Sequence, residues 1–459
     1  MNVKKIFTDI MPEERVLSSG EILDDYSTDE SFIRHSKAIA VVFPISTREV
    51  SDILSAAYDN DIIIIPRGLG TGLSGGAIPI APSVIVSMEK MNRILEIDTD
   101  NMMAVVQPGV ITGELQKAVE EEGLFYPPDP ASLESCSIGG NVAEASGGPR
   151  AVKYGTTRDY VRGLEFVSPM GDIMRLGGKI KKDVTGYALK DIIVGSEGTL
   201  GIVTEITLSL IPLPSHYTDL LVPFDSMDDA ARTVSDIVKS RIIPSTIEFM
   251  EERALETAYK MLGSDSKTNQ GTAQLLIRVD GFDSDSVDRQ CEHIGEICFA
   301  NNAIDVFVAD SKPFQDILWK ARRSLHDAVV DMSIEMERED VVVPPAALPE
   351  LVRRIKELEV KYGIMIVIFG HAGDGNVHIN MLKTEENKEA FDSNLKNLVQ
   401  DIMVITLDLG GNLSGEHGIG LFKKRFMHMA FTEPALDIMR GIKRVFDPKN
   451  LFNPGKILP

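Results

Sequence analysis

Apolar and polar positions alternate in a regular way near the start of the chain. Apolar runs at 38–44 and 62–66 predict two β-strands. The segment between them has apolar residues at the spacing of one helical face, which predicts a helix over 47–60 with Thr47 as its N-cap. Those apolar residues are Val50, Ile53, Leu54 and Ala57. The pattern therefore predicts a β-α-β unit.

Beyond this unit, β-branched runs alternate with glycine-rich turns as far as residue 214. We interpret 37–214 as one α+β domain, preceded by a helical segment at 1–36. Two prolines at 211–216 mark a break, since they disfavour a continuing strand or helix. Strand and amphipathic-helix patterns then repeat over 215–425 and predict a second α/β domain that contains an antiparallel sheet.

The last segment, 426–459, is predicted to contain a helix that Pro448 ends. Four apolar residues are expected to form the buried face of this helix. They are Leu436, Met439, Ile442 and Val445.

The charge balance limits the kinds of partner. There are 47 Lys and Arg against 69 Asp and Glu, a net charge of −22, which makes nucleic-acid binding improbable because phosphate contact relies on clustered basic residues. The three cysteines form no C-x-x-C pair, so neither a disulfide framework nor an iron–sulfur cluster is supported. No signal peptide and no run of about 18 apolar residues is visible. We expect a cytoplasmic protein.

A glycine-rich loop follows the second predicted strand. Residues 66–77 read P-R-G-L-G-T-G-L-S-G-G-A, and such a loop can turn successive amides toward a diphosphate. The segment contains G-x-G-x-x-G, the nicotinamide-binding fingerprint, which must open a helix. Pro79 and Pro82 exclude that helix and so argue against a Rossmann dehydrogenase. A flexible loop without a ligand is the remaining alternative.

Two further glycine-rich segments, at 137–148 and 195–203, lie in the same domain. Together with the first loop and P-P-D-P-A-S at 127–132, they resemble the FAD-binding domain of the vanillyl-alcohol-oxidase and p-cresol-methylhydroxylase family. The resemblance implies that the first loop holds the pyrophosphate and that the later segments hold the rest of FAD. It assigns cofactor binding to Pro66, Arg67, Gly68, Gly70, Thr71, Gly72, Ser74, Ser132, Gly139, Gly140, Asn141, Glu197, Gly198 and Ile202.

The flavin is expected to be bound without a covalent link. Some members of that family attach it through histidine, and none of the eight histidines lies within 37–214. The tail L-F-N-P-G-K at 451–456 resembles the family's closing motif, in which the chain returns to the flavin domain. Asn453 is a candidate for contact with the flavin ring, with an ordinary Asn-Pro turn as the alternative.

A candidate metal site lies in the second domain. The segment 364–381 predicts a β-hairpin in which His371 and His378 face each other across a six-residue connection. Further along, G-E-H-G sets Glu416 and His417 among glycines. Two imidazoles and one carboxylate leave open positions on a bound cation, as in catalytic sites. The alternative is that the hairpin histidines only bond to backbone groups.

These motifs together resemble the C-terminal half of FAD-linked 2-hydroxyacid dehydrogenases. The resemblance implies that His371, His378 and Glu416 bind a divalent cation, with zinc first and iron or manganese as alternatives. His417 is then the base. In the same way, three residues are assigned to substrate binding. They are Arg322, Arg338 and Asn380. His326 stands where the hydroxyglutarate enzymes carry a hydroxyl residue, which argues against a long dicarboxylic substrate.

The sequence therefore predicts an α+β dehydrogenase that uses FAD and a metal to oxidise a D-2-hydroxy acid, with D-lactate first and glycolate second. Two alternatives are a non-redox FAD transferase of the alkyl-glycerone-phosphate-synthase type and an electron-transfer subunit without its own substrate. Because the chain lacks cluster-binding cysteines, electrons must pass to an external acceptor, such as an electron-transferring flavoprotein, an iron–sulfur subunit or a quinone. The acidic surface favours a protein acceptor over a membrane.

Overall fold

The computed structural model describes residues 2–31, 35–262, 270–309 and 311–459. The chain divides into two units by its internal contacts. The first consists of Met1–Gly147, Gly155–Leu213 and Glu416–Pro459, and the second consists of Gly148–Tyr154 and Pro214–Gly415. Within the described ranges, every helix is too short or too polar to cross a membrane.

The helices are α1 Val3–Thr8, α2 Ile22–Tyr26, α3 Thr47–Asp59, α4 Thr112–Glu120, α5 Ile138–Glu144, α6 Ala151–Tyr154, α7 Thr157–Tyr160, α8 Leu189–Ile193, α9 Met227–Lys239, α10 Glu252–Met261, α11 Ser284–Ala300, α12 Lys312–Arg323, α13 Leu325–Asp331, α14 Leu348–Tyr362, α15 Lys388–Asp408, α16 Met427–Ala430 and α17 Glu433–Phe446. Short 3₁₀ turns occur at Glu13–Arg15, Pro345–Ala347 and Lys424–Phe426.

The strands are β1 Val16–Leu17, β2 Ala38–Val42, β3 Ile64–Arg67, β4 Ser83–Ser87, β5 Ile94–Asp98, β6 Met103–Val106, β7 Leu124–Phe125, β8 Val161–Val167, β9 Ile173–Gly177, β10 Ile202–Ser209, β11 Ile211–Pro212, β12 His216–Phe224, β13 Thr246–Glu251, β14 Ala273–Gly281, β15 Phe307–Ala309, β16 Glu335–Val342, β17 Met365–His371 and β18 Asn376–Lys383.

The first unit contains the predicted β-α-β opening. Strands β2 and β3 lie on either side of β4, parallel to it, and β1 completes the sheet in the order β1-β2-β4-β3. Helix α3 buries the predicted apolar face. The predicted N-cap is wrong by one residue. Ser46 caps the helix by accepting from the Glu49 amide, whereas the Thr47 hydroxyl donates to Glu165.

A second sheet of the first unit is antiparallel, in the order β5-β6-β10-β8-β9. Helix α17 packs on the core beside this sheet through Ile442 and Phe446, and its Leu436 is also buried. The prediction that Val445 belongs to the buried face is wrong, because Val445 is 74% exposed. The next residue, Phe446, packs edge-to-face against Phe166 and takes the buried position.

The second unit is built on one antiparallel sheet of seven strands, in the order β15-β12-β14-β13-β17-β18-β16. Helices α10, α12 and α13 pack on one face of this sheet around a core that includes Leu276, Val367 and Phe369. Side chains alternate between the two faces of a sheet along a strand. Every second residue counted from Phe369 on β17, and the residues paired with these on the neighbouring strands, therefore lie on this face. Both units mix helices with antiparallel sheets, which confirms the predicted α+β class.

Candidate active-site residues in each unit

The glycine-rich loop of the first unit runs from the end of β3 to the start of β4 without forming a helix. This confirms the prediction that the G-x-G-x-x-G segment does not open a helix, as a nicotinamide-binding fingerprint must. Gly70 and Gly75 have φ of +77° and +78°, values that side chains disfavour. At Gly68, a Cβ would lie 2.6 Å from the Ser137 hydroxyl oxygen, so the loop passes closely over the N-cap of α5.

The same loop has room for a ligand and polar groups to bind one. Apart from its two chain neighbours, none of the described residues has a heavy atom within 4 Å of the Cβ position of Gly72. The Ser74 hydroxyl is buried and has no hydrogen-bond partner among the described residues. A buried hydroxyl normally bonds to something, so the loop fits a polar ligand such as a dinucleotide.

Other predicted cofactor residues serve the packing of this unit. The Arg67 guanidinium donates to the Thr28 carbonyl oxygen at 2.6 Å and lies directly beneath Gly70. The Asn141 amide donates to the Thr112 hydroxyl at 2.7 Å, and Ile202 is buried in the core. These contacts support the loops from within, and the predicted role of each residue toward FAD stays a prediction.

A second set of predicted residues comes together around Asn453. Its amide donates to the carbonyl oxygens of Gly76, at 3.0 Å, and Glu197, at 3.2 Å. Gly198 lies close against Pro66. Asn453 thus ties the glycine-rich loop to the third glycine segment, so the alternative of an ordinary Asn-Pro turn is insufficient, and its contact with the flavin ring stays a prediction.

Contacts of the remaining predicted residues are local. Gly139 lies against Pro108, the Gly140 amide donates to the Ser137 hydroxyl, and the Ser132 carbonyl oxygen accepts from the Cys136 amide. Thr71 lies within the loop, partly exposed.

Two carboxyl groups lie side by side in the first unit, Glu197 buried and Glu144 partly buried. Glu197 accepts hydrogen bonds from the amides of Ile419, at 2.7 Å, and Gly420, at 2.6 Å. Glu144 lies beside it, and a Cβ at Gly418 would clash with both carboxyl groups. Burial, followed by the neighbouring Glu197, holds the pKa of Glu144 well above its usual range. Burial also raises the pKa of Glu197, against the effect of the two amides.

A buried lysine supports the glycine-rich loop from the opposite end of the chain. Lys456 donates from Nζ to the carbonyl oxygens of Gly75 and Ile78. Burial lowers the pKa of Lys456 to about 7. The C-terminal tail is therefore part of the structure that shapes the loop.

Glu416 and His417 open the last segment of the first unit, immediately after the chain leaves the second unit at Gly415. His417 Nε2 lies 3.9 Å from Glu416 Oε1. The adjoining residues 419 and 420 are those whose amides bond to Glu197. Glu197 therefore anchors the loop that carries the predicted base.

In the second unit, β17 and β18 form the predicted hairpin, but its register differs from the prediction. His371 pairs with Asn376 and His378 pairs with Phe369, so the connection has four residues, 372–375. The prediction that His371 and His378 pair directly is wrong, because the strand begins at Asn376, which is the residue that pairs with His371. They are diagonal neighbours on one face, and their ring centroids lie 5.3 Å apart, as the predicted convergence requires.

Each of these imidazoles lies beside a buried carboxylate through its Nδ1 atom. His371 Nδ1 is 2.9 Å from both carboxylate oxygens of Glu248, which lies opposite it on β13. His378 Nδ1 is 3.8 Å from Asp340 Oδ1, and Asp340 lies opposite it on β16. Both carboxylates are fully buried. A carboxylate beside Nδ1 is the arrangement found in histidines that ligate metals, and at His371 it lies within hydrogen-bond distance.

Asp340 has further partners. Its Oδ1 accepts from the Asn376 amide at 2.5 Å, and its Oδ2 accepts from the Ser414 hydroxyl at 2.7 Å and the Gly415 amide at 2.9 Å. The carboxylate therefore fixes the residues that lead directly into Glu416.

The predicted substrate residues lie on the same face of the sheet or on the helices that cover it. Asn380 donates to the Val367 carbonyl oxygen at 3.2 Å. Arg338 lies opposite Asn380 on β16, and its Nη1 is 3.4 Å from His326 Nε2. Arg322 is almost fully buried, and its Nε and Nη2 contact Glu248 Oε2 at 2.6 and 2.5 Å. The structure thus brings together Arg322, Glu248 and His371.

Glu248 and Asp340 were missed as site residues. The sequence carries a signal for Glu248, because T-I-E-F-M-E has the pattern of a β-strand. In the structure every residue of this strand is buried. A carboxylate in such a strand needs a charged or hydrogen-bonding partner. The pattern could have flagged Glu248, but it could not have named His371 and Arg322 as its partners.

Comparison with known proteins shows the class. Residues 38–177 match the family described as FAD binding domain, and residues 213–457 match FAD linked oxidases, C-terminal domain. The chain is 42% identical to the glycolate oxidase subunit GlcD of Bacillus subtilis (strain 168), over 94% of this chain and 91% of that protein. It is 37% identical to the D-lactate dehydrogenase of Anaerostipes hadrus, over 98% and 96%.

Among solved structures, p-cresol methylhydroxylase with substrate bound matches with a TM-score of 0.81 over 99% of this chain and 96% of that chain. At 17% identity this likeness shows the fold alone. Fold and sequence together define an FAD-binding oxidoreductase. The chain belongs to the family of FAD-linked oxidases, in the group that includes relatives named D-lactate dehydrogenase and glycolate oxidase subunit, which confirms the resemblance found in the sequence.

Proposed function

We propose that this protein uses FAD and a divalent cation to oxidise a D-2-hydroxy acid to the 2-keto acid, with D-lactate as the first candidate and glycolate as the second. The observation that carries the proposal is the pair of imidazoles of His371 and His378, each with Nδ1 beside a fully buried carboxylate. The names of the relatives, a glycolate oxidase subunit and a D-lactate dehydrogenase, support the choice of substrate.

His371 and His378 fit a cation, since their Nδ1 atoms face carboxylates, and a histidine held by a carboxylate at Nδ1 ligates a metal through Nε2. Glu416 is the proposed third ligand. When bound, the cation would lower the pKa of a coordinated hydroxyl group, and FAD would accept a hydride from the substrate carbon. Zinc is the first candidate, with iron and manganese as alternatives.

The chain itself would bind the substrate and move its proton. His417 is proposed to take the hydroxyl proton as a neutral imidazole. Arg338, half-buried on the same sheet face as His378, would bind the carboxylate. Arg322 already contacts Glu248 through two nitrogens, so it would bind substrate through the remaining one. Asn380 would complete the pocket.

Electrons would leave for an external acceptor, either an electron-transferring flavoprotein or an iron–sulfur subunit, in the cytoplasm. A relative named as a subunit supports a protein partner. A net charge of −22 also suits docking to a basic protein surface.

The test is an anaerobic titration of flavin absorbance with D-lactate, L-lactate, glycolate and D-2-hydroxyglutarate, before and after chelation. We expect bleaching by D-lactate that chelation abolishes and added zinc restores. Bleaching by none of the four acids would contradict the proposal and favour an electron-transfer subunit. Denaturation should release all the FAD, and flavin that stays on the chain would contradict non-covalent binding.

The role of His417 has its own test. His417→Ala should slow flavin reduction by ~10²-fold or more, as loss of a positioned base implies, while the protein keeps its FAD. An unchanged reduction rate would remove His417 from the mechanism.

A further inference from the structure

We infer that Glu248 is a positioning residue that holds the proposed metal ligand His371 and the proposed substrate-binding Arg322 as one unit, so that the cation site and the carboxylate site form together. The inference rests on the proposed function.

Glu248 lies between two functional groups, Arg322 and His371. It is fully buried in β13, and His371 is its direct neighbour on β17. One carboxylate oxygen, Oε2, contacts Arg322 at Nε and Nη2, at 2.6 and 2.5 Å. Both oxygens lie 2.9 Å from His371 Nδ1. One side chain therefore contacts both functional groups.

The chemistry of a carboxylate sets the protonation of the imidazole. An ionised carboxylate only accepts hydrogen bonds, so a bond to His371 Nδ1 requires the proton on that nitrogen. The Nε2 lone pair is then available to a cation. The orientation of the ring and its tautomer thus both depend on Glu248.

Arg322 is held in place by a second contact. Its guanidinium lies 5.4 Å from the centre of the Phe369 ring, and the same ring lies 5.6 Å from the His378 ring. Phe369 is directly opposite His378 in the ladder. Arg322 is thus fixed between Glu248 and Phe369, each of which also contacts one of the two histidines.

A glutamine at position 248 would satisfy its two partners only in part. It has one acceptor oxygen in place of two and carries no charge, whereas Arg322 and His371 Nδ1 both need an acceptor. Its NH2 group would replace one carboxylate oxygen beside His371, and the Arg322 guanidinium would lose its ion pair. Because both groups depend on one carboxylate, the substitution should weaken cation binding and substrate binding together.

The experiment compares Glu248→Gln with Glu251→Gln in the full-length, FAD-loaded protein after chelation. Glu251 is a matched control, because it is buried in the same strand, three residues on and so on the opposite face, where it contacts Lys356 and the Ile368 amide. Calorimetry measures the binding of zinc alone, and steady-state kinetics at saturating zinc measure KM and kcat for D-lactate.

We expect Glu248→Gln to raise the zinc Kd by about 10- to 100-fold and the KM for D-lactate by about tenfold or more. Glu251→Gln should stay within about twofold of the wild type in both. Equal losses in the two variants, or an unchanged zinc Kd in Glu248→Gln, would overturn the inference. Failure of the wild type to bind zinc would instead contradict the proposed function.

A second variant covers the case in which Glu248→Gln does not fold. Glu248→Asp keeps the charge but shortens the side chain by one methylene, so it reaches only one of its two partners. We expect it to fold and to lose affinity for zinc or for D-lactate. Wild-type values for both ligands would overturn the inference.

Discussion

Each unit buries carboxyl oxygens, yet their surroundings shift the pKa in opposite directions. In the second unit, burial alone would raise the pKa of Glu248, but Arg322 and His371 together hold it below its usual range. In the first unit, the Glu144 residue is only partly buried, but its Oε2 is buried, and burial, followed by the neighbouring Glu197, holds the pKa of Glu144 well above its usual range. The comparison shows that burial raises the pKa of both groups, and that the neighbours reverse this effect at Glu248 and reinforce it at Glu144.

The difference matters for what each group can do. An ionised Glu248 can accept from a guanidinium and an imidazole, and so can orient a metal ligand. The raised pKa of Glu144 favours its neutral form, and Glu197 is the acceptor for the amides of Ile419 and Gly420, beside the predicted base. The carboxylate of the second unit thus orients side chains, whereas the carboxyl pair of the first unit holds a loop in place.

The strongest test of this comparison removes the charged group from the second unit. Glu248→Ala leaves the buried Arg322 guanidinium without its carboxylate, so we expect a loss of about 3–5 kcal/mol in unfolding free energy. The single tryptophan, Trp319, lies in α12 of the same unit, so its fluorescence during urea unfolding reports on this change. A loss below about 1 kcal/mol would show that the ion pair is not a major contributor.

The next largest effect concerns the first unit and its buried lysine. Lys456→Met leaves the carbonyl oxygens of Gly75 and Ile78 without their donor, which should cost about 1–3 kcal/mol for each buried group. We expect FAD to be released at lower urea concentration, as measured by flavin fluorescence. Lys449→Met is the control, because Lys449 forms an exposed pair with Asp61. Equal FAD release from the two variants would contradict a specific role for Lys456.

How much of this could be predicted from the sequence depends on the distance along the chain between partners. The β-α-β opening and the hairpin with His371 and His378 follow from local patterns, and both are present. The contact of Glu248 with His371 depends on β13 lying next to β17, with more than a hundred residues between them. The local pattern of apolar and polar residues does not predict which strands become neighbours in the sheet.

The smaller errors have two different causes. At α3 the cap is local, because Ser46 accepts from the Glu49 amide, and the Thr47 hydroxyl instead donates to the distant Glu165. At α17 a tertiary contact decides which residue is partly buried, because Phe446 packs against Phe166.

An intermediate effect is expected from the two carboxyl groups of the first unit. Glu197→Gln replaces one acceptor oxygen with an NH2 group that would face an amide N–H. The hydrogen bond that is lost should lower the unfolding free energy by about 1–3 kcal/mol. Glu144→Gln should lower the unfolding free energy by less than about 1 kcal/mol, because the raised pKa of Glu144 favours the neutral acid, which glutamine resembles in shape. Urea unfolding followed by flavin fluorescence distinguishes them. A greater loss in Glu144→Gln would show that Glu144 is the ionised partner.

The smallest effect is a pH dependence with opposite sign in the two units. Below its unfolded pKa of 4.5, Glu144 is protonated in both states, and its contribution to stability is fully present. As pH rises toward its folded pKa, only the unfolded state ionises, so the wild type loses stability relative to Glu144→Gln. For Glu248 the folded pKa lies below 4.5, so in metal-free protein the wild type loses stability relative to Glu248→Gln as pH falls. The measurement is the unfolding free energy between pH 3 and 8, with Trp319 and flavin as reporters. The comparison would be contradicted if the difference between wild type and Glu144→Gln and the difference between wild type and Glu248→Gln changed with pH in the same direction. That result would place the two carboxyl groups in the same charge state.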